Sequence, residues 1–287
     1  MIDTTFDQPG DTNGASGTVV NAILPAPGYS GILDLAIDSA SRIVAVGAGN
    51  DGSSNHAVVA RYLSYGTLDP AFGTDGKVDF ADADGTVNFA AVALDAAGRS
   101  VVVGKGALPS GEALLAARYS ADGTLDPTFG VGGIVESNVL GDIPANDLAI
   151  LSDGSILVAG MRNGTAGVLR LLSNGTLDAT FGGGDGWVTV SVQTNGEKPR
   201  MAIQSDGKIV LGMAVLDGAV RRGAAIRLLA DGTLDTTFAS SGLYRTTVGT
   251  TSARITDVAV TADGKIVLVG PADSNGDNDF LVIRLWQ

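Results

Sequence analysis

The sequence predicts an all-β chain made of five copies of one four-stranded antiparallel unit. Three observations carry that prediction. A nine-residue phrase recurs, as "YGTLDPAFG" (65–73), "DGTLDPTFG" (122–130), "NGTLDATFG" (174–182) and "DGTLDTTFA" (231–239), and "IDTTFD" (2–7) reads as the same phrase without its front. An arginine precedes each full phrase, and Arg61, Arg118, Arg170, Arg227 and Arg284 follow one another at spacings of 57, 52, 57 and 57 residues. Between these markers, short apolar runs alternate with Gly-rich turns, with 41 glycines in 287 residues. Self-similarity at such a period marks a repeat architecture.

Each unit resolves into four strands in order. The first is "DLAID" (34–38), "AVALD" (91–95), "DLAIL" (147–151), "RMAIQ" (200–204) and "DVAVT" (257–261), with Ala36, Ala93, Ala149, Ala202 and Ala259 at equivalent places. Turns such as "SDGS", "SDGK" and "ADGK" follow, and their Asp-Gly pairs supply the positive φ that hairpins need. The second strand is continuously apolar, as in "SVVVG" (100–104) and "ILVAG" (156–160), so both of its faces must be covered. The third carries the arginine. The fourth, "KVDF" (77–80), "IVES" (134–137), "WVTV" (187–190) and "LYRT" (243–246), alternates apolar and polar residues and meets water on one side.

A radial array accommodates all of this, with small residues at a crowded axis, apolar strands between neighbouring sheets and mixed strands at the rim. That is a five-bladed β-propeller with four antiparallel strands per blade. Residues 1–287 are read as one such domain. The C-terminal copy supplies only three strands (255–285), and "TVVNAIL" (18–24) is the fourth strand expected to complete that blade and close the ring. Closure of this kind removes exposed strand edges.

The phrase and its preceding arginine resemble the Delta-60 repeat, a bacterial β-propeller repeat family of unassigned function. The resemblance covers essentially the whole chain and implies a bacterial propeller that is extracellular or attached to the cell envelope. One departure is the insertion "DQPGDTNGAS" between Phe6 and Gly17, where other copies have three or four residues.

Composition narrows the functional classes. A net charge of −13 disfavours nucleic acid and anionic membranes, because phosphate binding needs a basic surface. No apolar run is long enough to span a membrane. There is no cysteine, so disulfides and thiolate metal sites are excluded. Acidic and polar residues follow Met1 at once, so no secretory signal is expected at this start, a removed signal or excision from a longer chain being the alternatives.

Four sets of residues are candidates for chemistry. The pairs Arg61/Asp69, Arg118/Asp126, Arg170/Asp178, Arg227/Asp235 and Arg284/Asp3 are either five equivalent ligand sites or five structural salt bridges. We read them as structural, because a buried guanidinium needs a partner and the carboxylate eight residues on supplies it. Phe6, Phe72, Phe129, Phe181 and Phe238 are read as packing residues between blades. The residues opening the first strands, Asp34, Ala91, Asp147, Arg200 and Asp257, ring the expected channel mouth. They offer either a site for a small polar or cationic ligand or a solvated mouth whose aspartates cap backbone N–H groups. "DSNGDND" places Asp273, Asn275, Asp277 and Asp279 at alternate positions, the pattern of a calcium loop, but without the sixth-position glycine and the bidentate Glu of an EF-hand. Calcium is the one cofactor the sequence brings into question.

Function is expected where the copies differ. The segments between the second and third strands (48–56, 105–113, 161–167, 214–222 and 271–279) and the links between blades diverge, while the "DGK" and "GTLD" turns barely change. Variable segments on a rigid scaffold are the usual seat of binding. A non-catalytic module for a protein or a small polar or cationic ligand is therefore the expected function. One alternative is a glycan-active hydrolase using Asp34, Asp147 and Asp257, disfavoured by the 5% aromatic content. The other is an engineered or excised repeat ring without a selected ligand. The single histidine, His56, has no evident nucleophile beside it.

Overall fold

The computed structural model describes residues 6, 18–21, 23–24, 28–82, 87–108, 111–137, 145–194, 196–249, 252–274 and 277–286. Among them are five antiparallel sheets and one short 3-10 turn (Phe181–Gly183). Among the described residues no helix is long and apolar enough to cross a membrane. The chain falls into two compact units, residues Met1–Ala145 with Ser173–Thr176, and residues Asn146–Leu172 with Leu177–Gln287.

The first unit holds two four-stranded sheets in sequential order. One contains β1 (Tyr29–Ile37), β2 (Ile43–Asn50), β3 (Asn55–Tyr62) and β4 (Lys77–Asp82). The next contains β5 (Asn88–Leu94), β6 (Ser100–Leu108), β7 (Gly111–Tyr119) and β8 (Ile134–Ser137). Val44, Val46, Ala57 and Val59 of the first sheet pack on Phe89, Val92, Val102 and Leu115 of the second, with Phe72 fully buried among them. Edge-to-face contact of Phe89 with Tyr119, ring centroids 6.4 Å apart, extends this layer.

The second unit holds three sheets. The third sheet of the chain contains β9 (Ala145–Ile150), β10 (Ile156–Arg162), β11 (Thr165–Leu171) and β12 (Trp187–Thr189). The fourth contains β13 (Arg200–Ile203), β14 (Ile209–Asp217), β15 (Val220–Leu228) and β16 (Leu243–Arg245). The fifth has three strands, β17 (Asp257–Val260), β18 (Ile266–Ser274) and β19 (Asp277–Leu285). One apolar layer lies between the third and fourth sheets and another between the fourth and fifth. In β10 and β14 every residue but the last one or two is buried, so the unbroken apolar runs are second strands covered on both faces.

Two features differ from the sequence reading. The divergent segments between second and third strands are largely strand, with a short unpaired turn at 51–54 in the first sheet. The strands continue through them as long ribbons, pairing Asn50 with Asn55, Leu108 with Gly111, Arg162 with Thr165, Asp217 with Val220 and Ser274 with Asp277. Backbone pairing needs only alternation and a tight turn, so polar side chains at the tips do not end the ladder. The second difference concerns residues 18–24. The described ones form no strand, and the fifth sheet keeps three strands with Phe280 fully exposed and Val282 69% exposed on its last one.

The described N-terminal residues pack on the first sheet. A Cβ built on Gly66 would lie 2.7 Å from Val19 Cγ2 and 3.5 Å from the Phe6 ring. The matching position Gly175 faces Val135 and Phe129, and Gly232 faces Val188 and Phe181. Phe6 and Val19 thus stand on the first sheet where a phrase phenylalanine and a fourth-strand valine stand on the others.

At Gly123 and Gly175 neighbouring segments touch backbone to backbone. Gly123 has φ +84°, and a Cβ there would lie 2.5 Å from the Gly73 nitrogen. Gly98 has a similar φ of +74° with nothing within 4 Å. Gly98→Ala should therefore cost only left-handed strain, about 1 kcal/mol. Gly123→Ala should add a clash that only sheet separation relieves, bringing the loss to about 3 kcal/mol. Urea denaturation of both variants checks this, and equal losses would remove the inter-sheet contact as the cause.

Candidate functional site

The recurring arginine, aspartate and phenylalanine form one clamp. Arg61 lies on an apolar strand and is 3% exposed, so its guanidinium must find partners inside. Its Nε donates to Asp69 Oδ2 at 2.8 Å, its Nη1 donates to the Ala121 carbonyl of the next sheet's turn, and its guanidinium carbon stands 4.7 Å from the Phe72 ring centroid. Arg118 repeats this with Asp126 Oδ2 at 2.8 Å, the Ser173 carbonyl and Phe129, and adds a 2.9 Å bond from Nη2 to Thr128 Oγ1. Backbone bonds run beside them, from Gly73 N to Asp122 O (2.7 Å) and from Gly130 N to Asn174 O (2.8 Å).

In the second unit Arg227 keeps its 2.8 Å bond to Asp235 and sits 4.6 Å over Phe238. Arg170 departs. It is 3.3 Å from Asp178, but its Nη2 donates to Asp153 Oδ2 at 3.0 Å and to Ser155 Oγ at 3.2 Å. The cause lies in the first turn of the sheet. Arg42 and Arg99 occupy the equivalent place in the first two sheets and pair with Asp38 and Asp95. In the third sheet that place is Ser155, Leu151 stands where Asp38 and Asp95 stand, and Asp153, where the first two sheets have Ala40 and Ala97, offers Arg170 a second carboxylate. Arg284 is exposed, and its expected partner Asp3 lies outside the described residues.

The aspartates of the clamp are held as carboxylates. At Asp126 the Thr128 hydroxyl, the Thr128 N–H and the Arg118 charge outweigh burial, moving its pKa down from 3.8 to about 2. Thr180 and Thr237 hold Asp178 and Asp235 below the ordinary range in the same way.

The residues of the first strands are placed differently from one another. Asp34 lies inside β1, just past an irregularity in the pairing between Ile32 and Asp34, and Ala91 follows a matching irregularity in β5. Within the first unit Asp34 Oδ2 accepts a 2.9 Å bond from Val92 N of the neighbouring sheet. Within the second unit Asp147 accepts from its own neighbour Leu148 N and, at 2.8 Å, from Met201 N of the next sheet. Asp257 accepts from Val258 N at 2.8 Å. Arg200 opens β13 beside that Met201. These aspartates therefore cap backbone N–H groups, and Asp34 and Asp147 do so across two sheets.

The "DSNGDND" residues lie on the β18–β19 ribbon. The register pairs Ala272 with Asp279, Asp273 with Asn278 and Ser274 with Asp277. Opposed residues share a face and successive ones alternate, so Asp277 and Asp279 share one face and Asp273 takes the other. Asn275 lies outside the described residues. Among the described residues no three His, Cys, Asp or Glu side chains are grouped to hold a metal ion.

The ribbon edges differ chemically. On the fourth sheet Arg221 pairs with Glu197, and Arg222 Nη1 donates to the Gly249 carbonyl at 2.8 Å. The third carries Arg162 bound to Asp185 at 3.0 Å. The first carries Asp51, His56 and Asp79, an arrangement that spacing in the sequence did not reveal. His56 and Asp79 stand two steps apart on paired strands, visible only once His56 is registered against Ala81.

The lowered pKa of Asp126 has a consequence for acid stability. Its folded-state carboxyl is more acidic than its unfolded one, so its contribution is complete above about pH 5 and lost as pH falls through 4 towards 2. Melting temperatures should be flat from about pH 7 to 5 and then fall steeply. Asp126→Asn should lower the plateau and flatten that fall. An acid limb of unchanged slope in the variant would show that this carboxylate contributes none of it.

The family model described as "Domain of unknown function (DUF5122) beta-propeller" matches five segments, residues 41–72, 98–129, 151–181, 204–238 and 261–287, which together exceed half of the chain. No curated protein matches. Among solved structures, a glucose dehydrogenase is similar at a TM-score of 0.52 and 14% identity, over 90% of this chain and 83% of that one. The endo-arabinase from Bacteroides thetaiotaomicron gives 0.48 at 12% identity over 88% and 93%. Drosophila Plexin A in complex with Semaphorin 1b gives 0.48 at 12% over 90% and 51%. At such identity the likeness to the glucose dehydrogenase speaks for the fold alone. With five tandem matches, one on each sheet, the chain belongs to the DUF5122 β-propeller family.

Proposed function

We propose that the chain is a non-catalytic binding module, a single closed ring of five blades that recognises its partner through the divergent ribbon edges. One observation carries this reading. The repeated charged residues are spent on the clamp, whereas the ribbon tips differ in charge from sheet to sheet. The candidate catalytic carboxylates Asp34 and Asp147 are occupied by backbone N–H groups, which disfavours the glycan-hydrolase reading, since that chemistry needs two free carboxyls at a defined separation. On the resemblance to the Delta-60 repeat we place the module in a bacterial extracellular or envelope setting. Its partner is a protein or a small polar or cationic ligand.

Closure follows from the repeat logic. Fourth strands pair Val78 with Val59, Val135 with Ala116, Val188 with Val168 and Tyr244 with Ala225, each partner standing two residues before the clamp arginine. Val19 holds the same place against Gly66 as Val135 and Val188 hold against Gly175 and Gly232. In a closed ring Val19 would thus pair with Val282, two residues before Arg284, and cover a strand that is otherwise bare. Deleting residues 1–24 should lower the melting temperature and promote association through the open edge. A deletion variant as stable and monodisperse as the parent chain would refute this closure.

The binding reading has its own test. Candidate ligands and envelope extracts are screened against the full chain, and any activity found is remeasured in two variant sets. Substitutions at Arg222 and Asp279 on the ribbon edges should weaken it at least tenfold. Charge reversal at Lys208 and Lys265, in the opposite turns, should leave it within about twofold. The reverse ranking would place the site on the wrong edge.

A further inference from the structure

We infer that His56 and Asp51 form a binding site for a first-row divalent cation of the zinc class, with Asp79 as the carboxylate that orients the imidazole. His56 is the only histidine, lies on β3 and is 6% exposed. Its Nδ1 is 2.6 Å from Asp79 Oδ1 on the adjacent strand. That contact assigns the Nδ1 proton in the neutral ring and leaves Nε2 as the lone-pair nitrogen, the pairing in which metal-bound histidines are held.

Nε2 is buried and, among the described residues, no group meets hydrogen-bond geometry with it. It faces Asp51 Oδ2 at 3.4 Å. That separation is the spacing of two donors of one ion, since tetrahedral ligands at about 2.0–2.1 Å stand about 3.4 Å apart. Asp51 is also prepared for this role. Its Oδ1 accepts from Ser53 N, Ser53 Oγ and Ser54 N, each at 2.8 Å, which aims Oδ2 at the imidazole.

The donor set selects the ion. One imidazole nitrogen and one carboxylate suit zinc and its neighbours better than calcium or magnesium, which take oxygen. Two protein donors are fewer than a structural zinc cage uses, so water or a donor from a bound partner completes the shell. The Asp51 side chain is 25% exposed, which keeps those positions accessible. The site lies on a ribbon edge but does not depend on the binding-module reading.

A single histidine makes the test direct. The full chain, with 15N-labelled His56, is titrated with zinc at about pH 8, where an ordinary imidazole is neutral. Saturable shifts at Nε2, absent with calcium, are expected. Asp51→Asn should weaken binding at least tenfold, and Asp79→Asn by about 10- to 100-fold. His56→Gln should abolish it, with circular dichroism and melting curves confirming that each variant is folded. An imidazole unmoved by millimolar zinc, ligation through Nδ1, or equal affinity in folded Asp51→Asn would each overturn the assignment. So would resonances that respond to pH alone, which would mean that an imidazolium, protonated on both nitrogens, sits between the two carboxylates.

Discussion

A guanidinium buried on an apolar strand sets the terms for the rest of this fold. Arg61, Arg118 and Arg227 are each nearly inaccessible, and a charge in that position is tolerated only if its donors are satisfied. The aspartate eight residues on takes Nε, and in the first two sheets a carbonyl of the following turn takes Nη1. The same group thus satisfies its own sheet and ties it to its neighbour. The phrase must then hold its aspartate, its phenylalanine and its glycines in one geometry, which is why the phrase is repeated where so much else is not.

Arg170 shows how far the clamp tolerates change. Ser155 replaces the arginine found in the first two sheets, Asp153 stands where they have Ala40 and Ala97, and the guanidinium turns towards both while the phrase keeps its shape. Phe181 stays buried and Gly182 N still bonds to Asp231 O at 3.4 Å. Neighbouring sheets are therefore held by several contacts of modest strength, so one pair can loosen without parting the layers.

The inner strands follow a second rule. Asp34 and Asp147 each accept an N–H from the next sheet, and in the intervening copies the same place holds Ala91 or Arg200. Their carboxylates are part of the hydrogen-bonding inventory of the sheets, which removes the simplest argument for chemistry on those strands. The ribbon edges are under no such demand. Their backbones are satisfied by the hairpin ladder, so their side chains can vary, and the carboxylate–imidazole–carboxylate arrangement on the first sheet is one outcome.

Much was legible in the sequence because each unit's signals are local. Apolar runs such as "ILVAG", turn glycines and the eight-residue step from arginine to aspartate fix strand order and the clamp without knowledge of distant residues. What the sequence left open depends on register and on cross-sheet reach. The ribbon tips look like loops because their side chains are polar, yet backbone pairing through Asn50 and Asn55 or Ser274 and Asp277 ignores side-chain polarity. The alternate oxygens of residues 273–279 look like ligands, yet the ladder turns Asp273 away from Asp277 and Asp279. His56 and Asp79 are 23 residues apart and meet through a diagonal across two strands. Sequence by itself determined which residues must be inside, because burial and turn geometry act over a few residues. Tertiary structure alone decided which polar groups meet, because that is set by one-residue steps in strand register and by carbonyls offered from the next sheet.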